Sequence, residues 1–146
     1  MVRAQANSLR ESMVKIIRLL GVLDENGMSC CGITLAQCHA LVEIGHAGSM
    51  SLNALADALR LDKSTMSRTV ENLVKQGFCK REPDAQDRRF VMIKLTPGGK
   101  AMYTKVKMGM DGWFEAIFNA LPEEKREQVL ESAALLLAAI DSAGCC

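Results

Sequence analysis

Residues 51–96 read SLNALADALRLDKSTMSRTVENLVKQGFCKREPDAQDRRFVMIKLT, and this stretch decides the fold. SLNALADALRL predicts a short helix with Leu52, Leu55, Ala56 and Leu59 on one side. DKSTMSRTVENLVKQGF then opens on Asp62, a good N-cap, because a short side-chain oxygen accepts from the first free backbone N–H groups. In this second helix Met66, Val70, Leu73 and Val74 form an apolar stripe, while Lys63 to Arg68 crowd its start with small polar and basic groups. A polar, basic helix start carried on a helix-turn-helix is what major-groove reading requires. Two strand-like runs follow within FCKREPDAQDRRFVMIKLT, around a polar turn holding Pro83, Asp84 and Asp87, with Arg88-Arg89 just past it. An arginine at a hairpin tip can reach phosphates or a narrow minor groove. The pattern predicts a winged helix-turn-helix.

LVKQGF, the wing DAQDRRF and the exit LTPGGK resemble the MarR (multiple antibiotic resistance regulator) family, whose wing carries a DxRR motif beside an LTxxG strand-to-helix junction. The likeness covers nearly the whole chain. It implies a single MarR-type domain over 1–146, with a DNA-binding lobe at 34–96 and a dimerisation lobe from 1–33 and 97–146. It also implies a homodimeric, ligand- or redox-responsive transcription factor, usually a repressor. One departure stands out: six cysteines in 146 residues, clustered where the family pattern does not demand them.

The net charge of +1 does not by itself point to nucleic acid, but its distribution does. Between Arg60 and Lys94 lie nine basic and five acidic residues; the remainder carries nine and twelve. A basic centre between flanks of opposite sign fits a DNA-facing lobe on a separate assembly lobe. No apolar run is long enough to span a bilayer, and the N-terminus lacks the apolar core of a signal peptide, so no membrane association is expected and the expected compartment is the cytoplasm. There, six cysteines read as thiol chemistry, metal ligands or packing rather than as a disulfide scaffold.

Outside the core motif, residues 8–23 predict an amphipathic helix with Leu9, Met13, Ile16, Ile17, Leu20 and Leu23 at helical spacing. A second helix begins at Thr34, where Thr34 and Gln37 make a capping box and Ile33 and Cys38 a hydrophobic staple, and runs to about Gly45. After the wing, Thr96 caps a long helix from Pro97 to about Asn119, which Gly109 and Gly112 weaken. Pro122 starts the last helix, striped by Val129, Leu130, Ala133, Leu136, Leu137 and Ile140. The terminal helices carry more apolar surface than one wing domain can cover. A second copy would cover it and set two recognition helices roughly 34 Å apart on a near-palindromic duplex. The expected fold class is therefore mainly α with a small β-hairpin wing: a winged helix-turn-helix with N- and C-terminal dimerisation helices.

The candidate DNA-binding residues are Lys63, Ser64, Thr65, Ser67 and Arg68 on the recognition helix and Asp87, Arg88 and Arg89 on the wing. The hydroxyls can bond phosphate or base edges, or merely satisfy N–H groups at the helix start. Arg68 can take guanine O6/N7 bidentately, and Lys63 suits a phosphate. Asp87 can orient Arg89 while Arg88 enters the minor groove, or the two arginines can exchange roles.

Cys30-Cys31 precedes the second helix and Cys145-Cys146 ends the sequence. Adjacent cysteines are awkward disulfide partners but can bring two soft thiolates to one ion. The family resemblance implies that the chain ends approach the start of the second helix, so the two pairs form a candidate site for As(III), Cd(II), Hg(II), Cu(I) or Zn(II). Cys38 is a further possible ligand or a buried structural thiol, and Cys79 is expected to pack. No cofactor is required for DNA binding. A thiol redox sensor or a small-molecule-responsive repressor of the same fold are the alternatives for the effector. A protein-interaction module without DNA binding is the alternative of another class. Glycine-rich phosphate loops, paired metal histidines and nucleophile elbows are missing from the sequence, so no enzymatic role is expected.

Overall fold

The computed structural model describes residues 1–20 and 32–144. Its elements are α1 (Val2–Leu19), α2 (Leu35–Ala47), β1 (Met50–Ser51), α3 (Leu52–Leu59), α4 (Lys63–Lys75), β2 (Cys79–Pro83), β3 (Val91–Leu95), α5 (Pro97–Ala120) and α6 (Arg126–Ala143), with one 3-10 turn at Glu123–Lys125. The fold is mainly helical with a small antiparallel sheet. Two compact units divide within α5, Met1–Lys107 and Met108–Cys146.

The first unit holds the core. Leu41, Ile44, Leu55, Met66, Val70, Leu73 and Ile93 are its fully buried large side chains, so α2, α3, α4 and β3 share one apolar centre. α2 begins as its sequence dictates: Thr34 N–H donates to Gln37 Oε1 at 3.0 Å, and Gln37 N–H donates back to Thr34 Oγ1 at 3.1 Å. Both staple residues, Ile33 and Cys38, are buried. The turn between α3 and α4 has no glycine. Arg60 takes the left-handed conformation there (φ 52°), and Leu61 N–H reaches Ala56 O at 3.0 Å. α4 ends in a Schellman motif, with Gly77 at φ 81°, Phe78 N–H on Leu73 O at 2.9 Å and Gly77 N–H on Val74 O at 3.0 Å.

The sheet order is β1-β3-β2. β2 and β3 form the hairpin in the register Cys79↔Leu95 to Pro83↔Val91, and the two-residue β1 pairs Met50 with Ile93 on the other side of β3. Sequence periodicity does not register a strand of two residues, and β1 was not expected. Alternation along β3 sends Ile93 and Leu95 inward. Lys80 and Lys94 face each other across the ladder, and Glu82 bonds both, at 2.7 and 3.2 Å. That pair of cations, Lys80 first, holds the Glu82 carboxyl below its ordinary range.

Thr96 locks the wing exit to the end of α4. Its N–H donates to Phe78 O at 3.0 Å, its hydroxyl donates to Gly77 O at 2.5 Å, and the same oxygen accepts from Gly99 N–H at 3.0 Å. Gly99 fits because it has no side chain: a Cβ there would lie 1.8 Å from Phe78 O. Gly45 likewise admits the Tyr103 ring, which would lie 2.5 Å from a Cβ, so α5 starts by crossing α2. α1 begins at Val2, earlier than residue 8, and none of its residues is buried; Leu9, Ile16, Leu19 and Leu20 are exposed.

The second unit comprises the rest of α5, the 3-10 turn and α6. Arg126 ties its two helices, lying 5.3 Å over the Phe118 ring and donating to Asn119 O at 3.2 Å. Trp113, Phe114, Ile117, Val129, Leu130, Leu135, Leu137 and Ile140 are exposed apolar residues of this unit.

The Gly99 contact makes a direct prediction. Gly99→Ala should destabilise the chain by about 1–3 kcal/mol, the usual range for overpacking. Gly98→Ala, whose Cβ would meet Gly77 O at an ordinary 3.5 Å, should be neutral or slightly stabilising. Urea midpoints of the two variants check this; equal midpoints would show that the α4–α5 joint yields.

Candidate nucleic-acid interface

α4 is amphipathic in the way that separates a buried underside from an offered surface. Met66, Thr69, Val70 and Leu73 are buried, and the Thr69 hydroxyl donates to Thr65 O at 3.0 Å, which satisfies it internally. Lys63, Ser64 and Arg68 are exposed, and Thr65 and Ser67 half-buried. The five candidate helix residues thus lie in the first two turns, on the side away from the core.

Asp62 organises that start. It sits in extended conformation, and its Oδ2 accepts from Thr65 N–H at 3.0 Å, the expected cap. It does more than cap. Ser64 Oγ donates to Oδ2 and Thr65 Oγ1 donates to Oδ1, each at 2.5 Å. The hydroxyl of Ser64, then the hydroxyl and amide of Thr65, hold the Asp62 carboxyl far below the usual carboxylate range. Of the alternatives for the two hydroxyls, satisfying free N–H groups is not what is found: Asp62 serves the Thr65 amide, and the hydroxyls point their protons at Asp62.

The wing turn is built by side-chain-to-backbone bonds. Asp84 N–H donates to Phe90 O at 2.8 Å, closing the hairpin, and Asp84 Oδ1 accepts from Gln86 N–H at 3.2 Å. Asp87 then holds Arg89 at three places. Arg89 N–H and Nε donate to Oδ1 at 3.1 and 3.0 Å, and Nη2 donates to Oδ2 at 2.7 Å. Asp87 is lowered and Arg89 raised, each by the other's side-chain hydrogen bond. Of the two exchangeable roles, Arg89 is therefore the arginine that Asp87 orients. Arg88 is exposed and has no ionic partner among the described residues.

The cysteines divide. Cys30, Cys31, Cys145 and Cys146 lie outside the described residues. Cys38 and Cys79 are buried, at 4% and 3% exposure. Burial pushes the Cys79 thiol up to about 11, so Cys79, facing Leu95 across the sheet, packs as a neutral thiol. No group of three or more metal-ligating side chains occurs among the described residues. Nor, among them, is any helix long and apolar enough to cross a membrane.

A family model, MarR family, matches residues 33–91. The HTH-type transcriptional regulator BilQ of Clostridium symbiosum is 30% identical over 98 residues, covering 67% of this chain and 68% of that protein. This chain belongs to the MarR family. It is a DNA-binding transcriptional regulator of that family and not an enzyme. The multiple antibiotic resistance protein MarR of Escherichia coli is 35% identical over 75 residues, 51% of this chain and 52% of that one. Among solved structures, Streptococcus pneumoniae FabT in complex with DNA superposes with a TM-score of 0.78 at 20% identity, over 97% of this chain and 99% of that one. A MarR regulator from Methanosarcina mazei gives 0.71 at 25% identity, over 88% and 96%. The winged helix-turn-helix expected from residues 51–96 is thus the fold of this family's regulators.

Proposed function

We propose that this MarR-family regulator binds a near-palindromic duplex as a homodimer, with α4 in the major groove and the 84–90 turn beside it. The carrying observation is the division of α4 into a buried underside and a polar start, with Lys63, Ser64 and Arg68 exposed and Thr65 and Ser67 half-buried. That FabT, of the same fold, was solved in complex with DNA supports the reading. In it Arg68 reads a base, Lys63 meets phosphate, and Arg88 enters the minor groove while Asp87 steadies Arg89 against the backbone. The exposed apolar residues of α1, α5 and α6 supply the contact with the second copy, with Leu136, Leu137 and Ile140 at its centre. The protein would act in the cytoplasm, where its duplex is.

Selection from a random duplex library, followed by titration at several salt concentrations, tests this. Arg68→Ala should cost each half-site about 1–3 kcal/mol and relax one base position. Arg88→Ala should weaken all duplexes alike and flatten the salt dependence. Leu137→Glu should yield monomers or aggregates that no longer bind. A dimeric Leu137→Glu protein would move the interface elsewhere, and a wild-type protein with no preference over random duplex would end the reading.

For the effector, we propose that Cys30, Cys31, Cys145 and Cys146 take a thiophilic ion, As(III), Cd(II), Hg(II), Cu(I) or Zn(II), which releases the operator. The support is in the sequence: two vicinal thiol pairs in a chain with two histidines, a donor set that soft ions prefer. An ion shifts the protein only by its differential affinity for bound and free forms; a hundredfold difference is worth about 2.7 kcal/mol. Titration of the operator complex with each ion under anaerobic reducing conditions should release DNA and raise thiolate-to-metal absorbance. Replacing Cys145 and Cys146 with serine should abolish both. Release that instead requires an oxidant and reverses with dithiol would establish the redox sensor in its place.

A further inference from the structure

We infer that Asp62 fixes the hydrogen-bond polarity of the recognition helix, so that Ser64 and Thr65 read exocyclic amino groups, adenine N6 or cytosine N4, and reject keto bases at the same place. The inference rests on the DNA-reading role proposed for α4 and adds what its start recognises.

The chemistry is that of a hydroxyl with one proton. A serine or threonine hydroxyl donates one hydrogen bond and accepts through two lone pairs, whereas an ionised carboxylate only accepts. Both hydroxyl protons are committed to Asp62, Ser64 to Oδ2 and Thr65 to Oδ1. Thr65 N–H occupies Oδ2 as well. What the two hydroxyls turn outward is therefore lone pairs. Phosphate oxygens, guanine O6 and N7 and thymine O4 are all acceptors and offer nothing to such a surface. Adenine N6 and cytosine N4 are the donors that the major groove presents. Ser64 is exposed and suited to the contact itself; Thr65 is half-buried and borders it.

The state is robust because the carboxylate has other reasons to stay. It caps α4, and these same bonds keep it ionised throughout the physiological range. Reorienting a hydroxyl toward a phosphate or keto group would give up a hydrogen bond to a charged acceptor, the stronger kind, for one that is at best equivalent. Sequence preference follows from this. Every base pair carries an amino group in the major groove, but its strand and position distinguish adenine and cytosine from guanine and thymine. Lys63 and Arg68, which carry only donors, cover the complementary acceptors, so the helix start presents both polarities within two turns.

The experiment uses full-length protein and the duplex recovered by selection from a random library. Ser64→Ala locates the base pair concerned, as the one position where preference is lost. At that pair, removing the exocyclic amino group of its adenine or cytosine should weaken binding about three- to tenfold, the net worth of one hydrogen bond. Asp62→Ser keeps a capping oxygen for Thr65 N–H but cannot take both hydroxyl protons. In that variant the same amino-group deletion should cost less than about twofold. Binding that does not change when the amino group of that pair is removed, or an amino-group dependence unchanged in Asp62→Ser, would overturn the inference and leave DNA reading by α4 intact. A wild-type protein without sequence preference at any position would instead overturn the underlying role.

Discussion

Everything this chain offers to a duplex depends on how the underside of α4 is buried. Met66, Val70 and Leu73 are fully enclosed by α2, α3 and the sheet, and each contributes of the order of 1.5–3 kcal/mol through removal of apolar surface from water. A helix held by one face cannot rotate without exposing that face. The opposite face, from Lys63 to Arg68, is therefore presented in a fixed orientation. Pre-organisation of this kind is what lets short polar side chains discriminate, since their bonding partners must be met at a defined angle and distance.

Both ends of α4 are fastened as well. At its start the Asp62 carboxylate gathers three donors. At its end Gly77 and Phe78 close the Schellman motif and also accept from Thr96, the residue that begins α5. Recognition helix, wing exit and long helix thus meet within a few residues, and Gly99 allows the approach. The α4–α5 joint is held by one backbone and one side-chain hydrogen bond, both from Thr96.

The sequence makes much of this legible, for identifiable reasons. Capping chemistry is local, so Thr34, Gln37, Asp62 and Thr96 could be placed by spacing alone, and each caps as expected. Hydrophobic period gave the stripe of α4 and the alternation of β3. What escaped was of three kinds. β1 is two residues long and exists because Met50 and Ser51 fall beside β3 in space. The left-handed Arg60 carries no glycine to announce it. The polarity of Ser64 and Thr65 depends on which oxygen holds which proton, and residue types alone leave a hydroxyl free to donate or accept. The choice between Arg88 and Arg89 was open for the same reason, until the Asp87 contacts assigned Arg89. The cysteine pairs were visible as composition, but they fall outside the described residues.

The central claim is that the start of α4 and the turn of the wing meet DNA together. Amide hydrogen exchange, read by mass spectrometry with and without the selected duplex, addresses both at once. Binding through these surfaces should slow exchange in 63–68 and 84–90 and leave α6 unchanged. Protection confined to the terminal helices, or absent from both the helix start and the wing turn under saturating duplex, would contradict it.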